Sequence, residues 1–390
     1  MQEEAILSVI RDKKDTFVLA PTSLGKCWRG DTDILMYDGS SKNIKDIIVG
    51  DIVMGHDSTP RAVLSLARRR EKLYEIRPIH GKSSYYVTGD HVLCLRRTEK
   101  VLNESIRHKE ITVNDYIKAS NNFKHLHKWY KKPVTFSTQV TELPLDPYFL
   151  GLWLGDGNSS GPAITTIDTE IIDYVADFAT KFKDISIRVA TKESTKACTY
   201  FLTCGRKGPN GNPISNILRD LNLKNNKHIP LIYKTQTEAN RLQLLAGILD
   251  TDGSLDTGTS QGFFEYVSVS KELCEDVIYL ARSLGFYCSL YESRKTCTNN
   301  GVTGTYWRTN ISGDIHRIPT KLPRKQCKEI HRRTDCTNIG FTVHESVEDD
   351  YYGFMIDGDH KFLLADFSVV HNSLIYQCIS LSLERTDYCC

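Results

Sequence analysis

Residues 149–157 read Phe-Leu-Gly-Leu-Trp-Leu-Gly-Asp-Gly, and residues 245–253 read Leu-Ala-Gly-Ile-Leu-Asp-Thr-Asp-Gly. Laid over one another, both stretches are apolar, carry small residues in one register and end in Asp-Gly. Each predicts a buried helix. The glycines and alanine permit close approach of two such helices, and the final glycine suits a left-handed C-cap. Asp156 and Asp252 then come to lie side by side at two helix C-termini, where the dipole is also negative. Two close carboxylates repel and hold a proton unless a cation sits between them. Hard oxygen ligands of this kind suit Mg²⁺, which activates water and stabilises the leaving oxygen of a phosphodiester.

Outward from this pair, the chain changes character near residue 27 and again near 372. Residues 17–26 read Phe-Val-Leu-Ala-Pro-Thr-Ser-Leu-Gly-Lys, a strand and the start of a phosphate-binding loop, but Cys27 stands where a Ser or Thr should follow the lysine. Ser373-Leu374-Ile375-Tyr376-Gln377 supplies the missing half, 346 residues later. Joined from Lys26 to Ser373, the text resembles motif I of superfamily 2, RecQ-like helicases. The two flanks total 44 residues, too few to fold as a helicase domain.

The interrupting segment begins Cys27-Trp28-Arg29-Gly30-Asp31 and ends His371-Asn372. With Thr88-Gly89-Asp90-His91 and the stretch Asp349–Asn372, it resembles endonuclease-bearing inteins of the yeast vacuolar-ATPase type, and the twin helices resemble the double LAGLIDADG pattern of homing endonucleases. The chemistry asks for these residue types. Cys27 can attack the carbonyl of Lys26, because a thiol reaches its nucleophilic thiolate near neutral pH. His91 is the candidate for proton work there, and Thr88 for positioning the scissile peptide. Ser373 takes over the acyl group, Asn372 cyclises onto its own carbonyl, and His371 donates to that carbonyl. His360 matches the family's second assisting histidine. Gly353 stands where many inteins carry Asp or Cys, and Ser373 is a poorer nucleophile than the cysteine of the yeast relative.

The resemblance implies a multidomain chain: an all-β horseshoe Hint (Hedgehog/intein) splicing module plus an α+β LAGLIDADG endonuclease of two pseudo-symmetric αββαββ halves. The expected boundaries are 1–26, N-extein; 27–97, first part of the Hint module; 98–142, a DNA-recognition arm; 143–338, endonuclease; 339–372, last part of the Hint module; and 373–390, C-extein. Lys227 matches the family lysine of the first half, and Lys321 or Lys325 that of the second. Basic runs at Arg68–Arg70 and at Lys124, Lys128, Lys131 and Lys132, the latter interleaved with Phe123, Trp129 and Tyr130, are candidate DNA contacts. Base reading is assigned to strands within Ala163–Ile167, Arg188–Lys192 and Phe263–Ser270.

Composition sets the frame. The 390 residues are 40% hydrophobic and 25% charged with a net charge of +2, which excludes a largely disordered chain and a uniformly basic coat. No apolar run approaches the roughly 18 residues of a membrane helix, and residues 1–15 lack a secretory core, so a cytoplasmic or nuclear location is expected. The 12 cysteines form no C-x-x-C and read as reduced thiols apart from Cys27. The expected activities are self-splicing, which needs no cofactor, and Mg²⁺-dependent cutting of double-stranded DNA at the intein-less helicase allele, by a monomer. The alternatives are an endonuclease that only binds DNA, and an ATP-binding helicase fragment after splicing.

Overall fold

The computed structural model describes residues 28–80, 84–98, 107–137, 141–191, 197–205, 208, 211–258, 262–296, 303–329 and 335–372. The expectations for the two flanks, including Cys27 and Ser373, lie outside these residues.

One all-β module is assembled from both ends of this range. The strand Pro60–Pro78 runs antiparallel to Phe341–Ile356 along almost its whole length, from Phe341 opposite Pro78 to Ile356 opposite Val63. Irregular register between Glu345 and Glu348 and between Met355 and Ile356 bends the pair. Trp28–Arg29 pairs with Phe341–Ile356 on one side and with Tyr85–Thr88 on the other. The chain turns at Asp38-Gly39 and Val49-Gly50-Asp51, with φ of 86° and 92° at the two glycines.

The segment expected as a separate DNA-recognition arm folds into this module instead. Strands His108–Thr112 and His127–Tyr130 both pair with Val92–Arg97, and Asn338–Ile339 adds to the outer edge of His127–Tyr130. Trp129 and Tyr130 are buried, because pairing encloses this short strand and turns its aromatic residues inward. Lys131 is ion-paired with Asp366, and the Lys124 and Lys128 ammonium groups donate to the carbonyls of Ile117 and Lys124. Arg68–Arg70 lies exposed, but Arg70 faces Asp350 across the strand pair, beside Asp349 and Glu348. That local sign balance removes the positive patch the run suggested.

The insertion holds a single core shared by two halves. The second half is αββαββ in order: Glu238–Asp252, Gly253–Asp256, Phe263–Ser268, Lys271–Ser283, Leu290–Thr296, Thr303–Ile311, with the four strands in one sheet. The first half has Pro147–Asp156, Ala163–Thr166, Thr169–Thr180, Ile185–Thr191 and Cys198–Cys204. Its opening strand is reduced to one bridge between Gly157 and Ile164. Pro147–Asp156 and Glu238–Asp252 are buried against each other. A Cβ on Gly151 would reach the Cα of Gly247 at 2.9 Å and run into the carbonyl of Leu244. A Cβ on Gly155 would collide with Thr251. The small residues therefore set the helix separation, as their register predicted.

The terminal glycines work differently from expectation. Gly157 and Gly253 end their helices in extended backbone, with φ of −74° and −80°, not in the left-handed region. Glycine is required there because a Cβ would strike the helix itself, 2.6 Å from the Trp153 Cδ1 at Gly157 and 2.6 Å from the Leu249 carbonyl at Gly253.

Candidate functional sites

The expected C-terminal joint is built around His371 and Asn372. His371 ends the strand Val369–His371, which pairs with Lys361–Leu363 so that His371 lies opposite Lys361. Its Nδ1 is 2.7 Å from the Asn372 carbonyl oxygen. The Asn372 amide N–H donates to the His360 carbonyl at 2.7 Å, and the His360 and His371 rings lie 6.1 Å apart. His360 has φ of 62°, in the left-handed region, which turns the chain back toward the joint. Asn372 is 2% exposed, and neither its Nδ2 nor its Oδ1 has a hydrogen-bond partner among the described residues. A buried amide left without partners is costly. His360, His371 and Asn372 are thus brought together as expected. Glu110, which sequence reasoning missed, stands behind them: one carboxylate oxygen is 2.8 Å from the Lys361 ammonium and the other 3.6 Å from His371 Nε2.

At the N-terminal side, Trp28 is held in register with Val87 and Tyr352. The buried His91 ring packs edge-on to the Trp28 indole at a centroid distance of 4.5 Å. Thr88 is fully buried, and its carbonyl accepts from the His91 N–H at 3.1 Å, closing the Gly89-Asp90 turn. Cys27, one residue before Trp28, lies outside the described residues. The two sides meet through Trp129. Its ring stacks over Trp28 at 6.5 Å, and its Nε1 donates to the Val369 carbonyl at 2.8 Å. The sequence offered Trp129 only as an aromatic within a basic run; nothing local marks it as the bridge between joints.

The second site lies at the ends of the paired helices. Asp156 and Asp252 both open to solvent, as an approaching phosphodiester would need. Partial desolvation at the helix ends raises both carboxyls, and the Asp156 charge adds to the effect on Asp252, which is pushed up to about 6. Two lysines counter this. Lys227 donates to the carbonyls of Gly155 and Gly157, both at 2.8 Å. Lys325 donates to Leu249 and Asp250 at 2.8 Å and to Thr251 at 3.2 Å. Each ammonium therefore sits on the negative end of one helix. Desolvation lowers both lysines from their ordinary range, against the pull of the carboxylates. Of the two second-half candidates, Lys325 occupies the place equivalent to Lys227. The Lys321 ammonium lies instead over the Tyr148 and Tyr174 rings.

Two hard carboxylates that disfavour each other's charge fit a divalent cation. No cluster of three or more His, Cys, Asp or Glu side chains suited to a metal occurs among the described residues. A pair of carboxylates is a donor set that Mg²⁺ accepts, since it keeps waters and takes phosphate oxygens alongside one or two carboxylates.

Comparison with known proteins finds family matches in two segments of the chain. Residues 27–141 match the family described as Hom_end-associated Hint, and residues 239–318 match the LAGLIDADG-like domain. The chain is an intein with an embedded endonuclease domain. The intein is 32% identical over 168 residues to a replicative DNA helicase DnaB of Mycobacterium intracellulare, covering 43% of this chain and 24% of that protein. It is 23% identical over 474 aligned positions to the catalytic polypeptide of the V-type proton ATPase of Candida tropicalis, covering 89% and 43%. The intein chain thus spans less than half the length of these curated relatives. Among solved structures, variants of the homing endonuclease I-DmoI align at 14% identity with a TM-score of 0.32, over 45% of this chain and 94% of theirs. The gp41-1 intein aligns at 21% identity and a TM-score of 0.17, over 23% and 81%. Among the described residues no helix is long and apolar enough to cross a membrane.

Proposed function

We propose that this intein excises residues 27–372 and joins Lys26 to Ser373, and that its inserted domain cuts double-stranded DNA carrying the uninterrupted helicase coding sequence. The observation that carries the splicing reading is the His371 ring on the carbonyl of a buried Asn372 whose side-chain amide has no partner among the described residues.

In this reading the Cys27 thiolate attacks the Lys26 carbonyl carbon. The amide C–N bond breaks, the departing amine takes a proton for which His91 is the donor, and a thioester forms. The Ser373 hydroxyl then displaces the Cys27 thiol, giving an ester. The Asn372 Nδ2 attacks its own carbonyl carbon, which the His371 Nδ1 polarises by donating a hydrogen bond. The Asn372–Ser373 peptide breaks, the insert leaves as a succinimide, and the freed Ser373 amine takes the acyl group from its own oxygen. Thr88 holds the first scissile peptide, and His360 supports the second.

For the endonuclease, Asp156 and Asp252 would hold a divalent cation, Mg²⁺ in this reading. The ion supplies water activation and charge stabilisation at the phosphate. Lys227 and Lys325, each fixed at one helix end, add positive charge beside the two carboxylates, one lysine for each strand. Forms of I-DmoI have been solved with DNA in the presence of manganese or magnesium. The action on DNA is a proposal for this chain and rests on its own carboxylate pair.

Intact mass of the expressed chain tests the splicing reading. Wild type is expected to yield a 346-residue insert and a ligated 44-residue product. Cys27→Ala and Asn372→Ala should each block ligation. A wild-type chain that stays at full length overturns the proposal.

A further inference from the structure

We infer that each active-site lysine is braced by the opposite half of the endonuclease, so that a separate brace governs the cutting of each strand. This rests on the endonuclease reading above. The loop bearing Lys227 belongs to the first half, yet it is anchored on Asp276 of the second-half helix Lys271–Ser283. The Ile229 N–H donates to Asp276 Oδ2 at 2.6 Å, and the Lys234 ammonium pairs with the other oxygen. The turn bearing Lys325 belongs to the second half and is tied to the first. Within its own half, the N–H groups of Lys321 and Leu322 donate to Asp250 at 2.7 and 3.4 Å, and the tie across to the first half is made by Tyr148 and Asp168. The Tyr148 hydroxyl, from the first-half helix, donates to the same carboxylate at 2.6 Å. Arg324 forks onto Asp168 of the first half at 2.6 and 2.8 Å.

Both anchors are buried, Asp250 at 2% and Asp276 at 8% exposure. A buried carboxylate is costly unless several donors meet it. The helix contact itself does not ask for one: in the overlay of the two motifs, Leu154 stands where Asp250 stands. What Asp250 has and Leu154 lacks is a lysine turn to hold. A displacement of about 1 Å in a positioned catalytic group can cost on the order of 100-fold in rate, so loss of one brace should slow one cut and spare the other.

The test uses the full intein and a plasmid carrying the coding sequence with codons 27–372 removed, in Mg²⁺, with the two strands labelled separately. Asp276→Asn is expected to slow one strand by about tenfold or more relative to the other. Asp250→Leu is expected to slow the opposite strand. Arg324→Ala, at an exposed residue whose loss leaves the core intact, should share the bias of Asp250→Leu. Equal slowing of both strands, or the same bias from Asp276→Asn and Asp250→Leu, overturns the crosswise bracing and leaves the endonuclease reading standing. Wild type that cuts neither strand overturns the endonuclease reading and the strand assignment with it. Calorimetric melting of the endonuclease unit in the same variants reports that it still folds.

Discussion

The Asp156–Asp252 pair shows how single residues carry opposing demands. Partial desolvation raises both carboxyls, and the Asp156 charge raises Asp252 further, so the folded state holds protons more tightly than the unfolded chain does. For Asp252 the sign is fixed: its contribution to metal-free stability is present at low pH and is lost as pH rises from the ordinary carboxylate value toward about 6. A cation needs both groups ionised. Mg²⁺ should therefore raise the melting temperature at pH 8, have little effect at pH 5, and have none in Asp252→Asn. Thermal melts with and without Mg²⁺ check this; equal stabilisation at both pH values would refute it. Asp366 makes a second residue-scale case. Its carboxylate lies far below the ordinary range despite burial, because Lys131 and Arg282 face it. Asp366→Asn leaves the Lys131 ammonium with the Asp366 backbone carbonyl but no counter-charge, so it should cost about 1–3 kcal/mol in urea unfolding.

At the scale of elements, function depends on two contacts made by short segments. The strand His127–Tyr130 presents Trp129 to both splice joints, through the Trp28 ring and the Val369 carbonyl. Trp129→Ala should cost about 3–5 kcal/mol and slow ligation. Trp129→Phe keeps most of the packing and loses the hydrogen bond, so unfolding and ligation rates together separate the two roles. The helices Pro147–Asp156 and Glu238–Asp252 touch backbone to backbone at Gly151 and Gly247. Neither neighbour is a flexible side-chain end, so Gly247→Ala must push the helices apart. About 1–3 kcal/mol or more is expected to go from the endonuclease unit, and splicing should survive, as calorimetry and intact mass would reveal.

For the whole molecule, the topology separates the two activities while keeping them in contact. The strand Asn338–Ile339 re-enters the splicing module directly against Tyr130 and Trp129, so the chain leaves and returns at one place. Replacing residues 141–335 with a short Gly/Ser linker should leave splicing in place. The truncated module loses Arg241, which donates to the Val134 carbonyl at 2.7 Å, and Tyr279, which donates to the Gly39 carbonyl at 2.7 Å. Its melting temperature should therefore fall, and loss of splicing would mean that the insertion supports the joints.

What is chemical and local could be read along the chain. The twin Asp-Gly helices were legible because a close helix contact demands small residues at particular places. What depends on distant partners was settled only by folding. The run around Trp129 read as a DNA arm because aromatic and basic residues alternate there, and only strand pairing with Val92–Arg97 turns its rings inward. Lys325 was separated from Lys321 by which ammonium reaches the helix-end carbonyls, a distance no spacing encodes. Glu110, Asp250 and Asp276 were silent for the same reason: a carboxylate is solvated or structural according to the donors that folding brings to it.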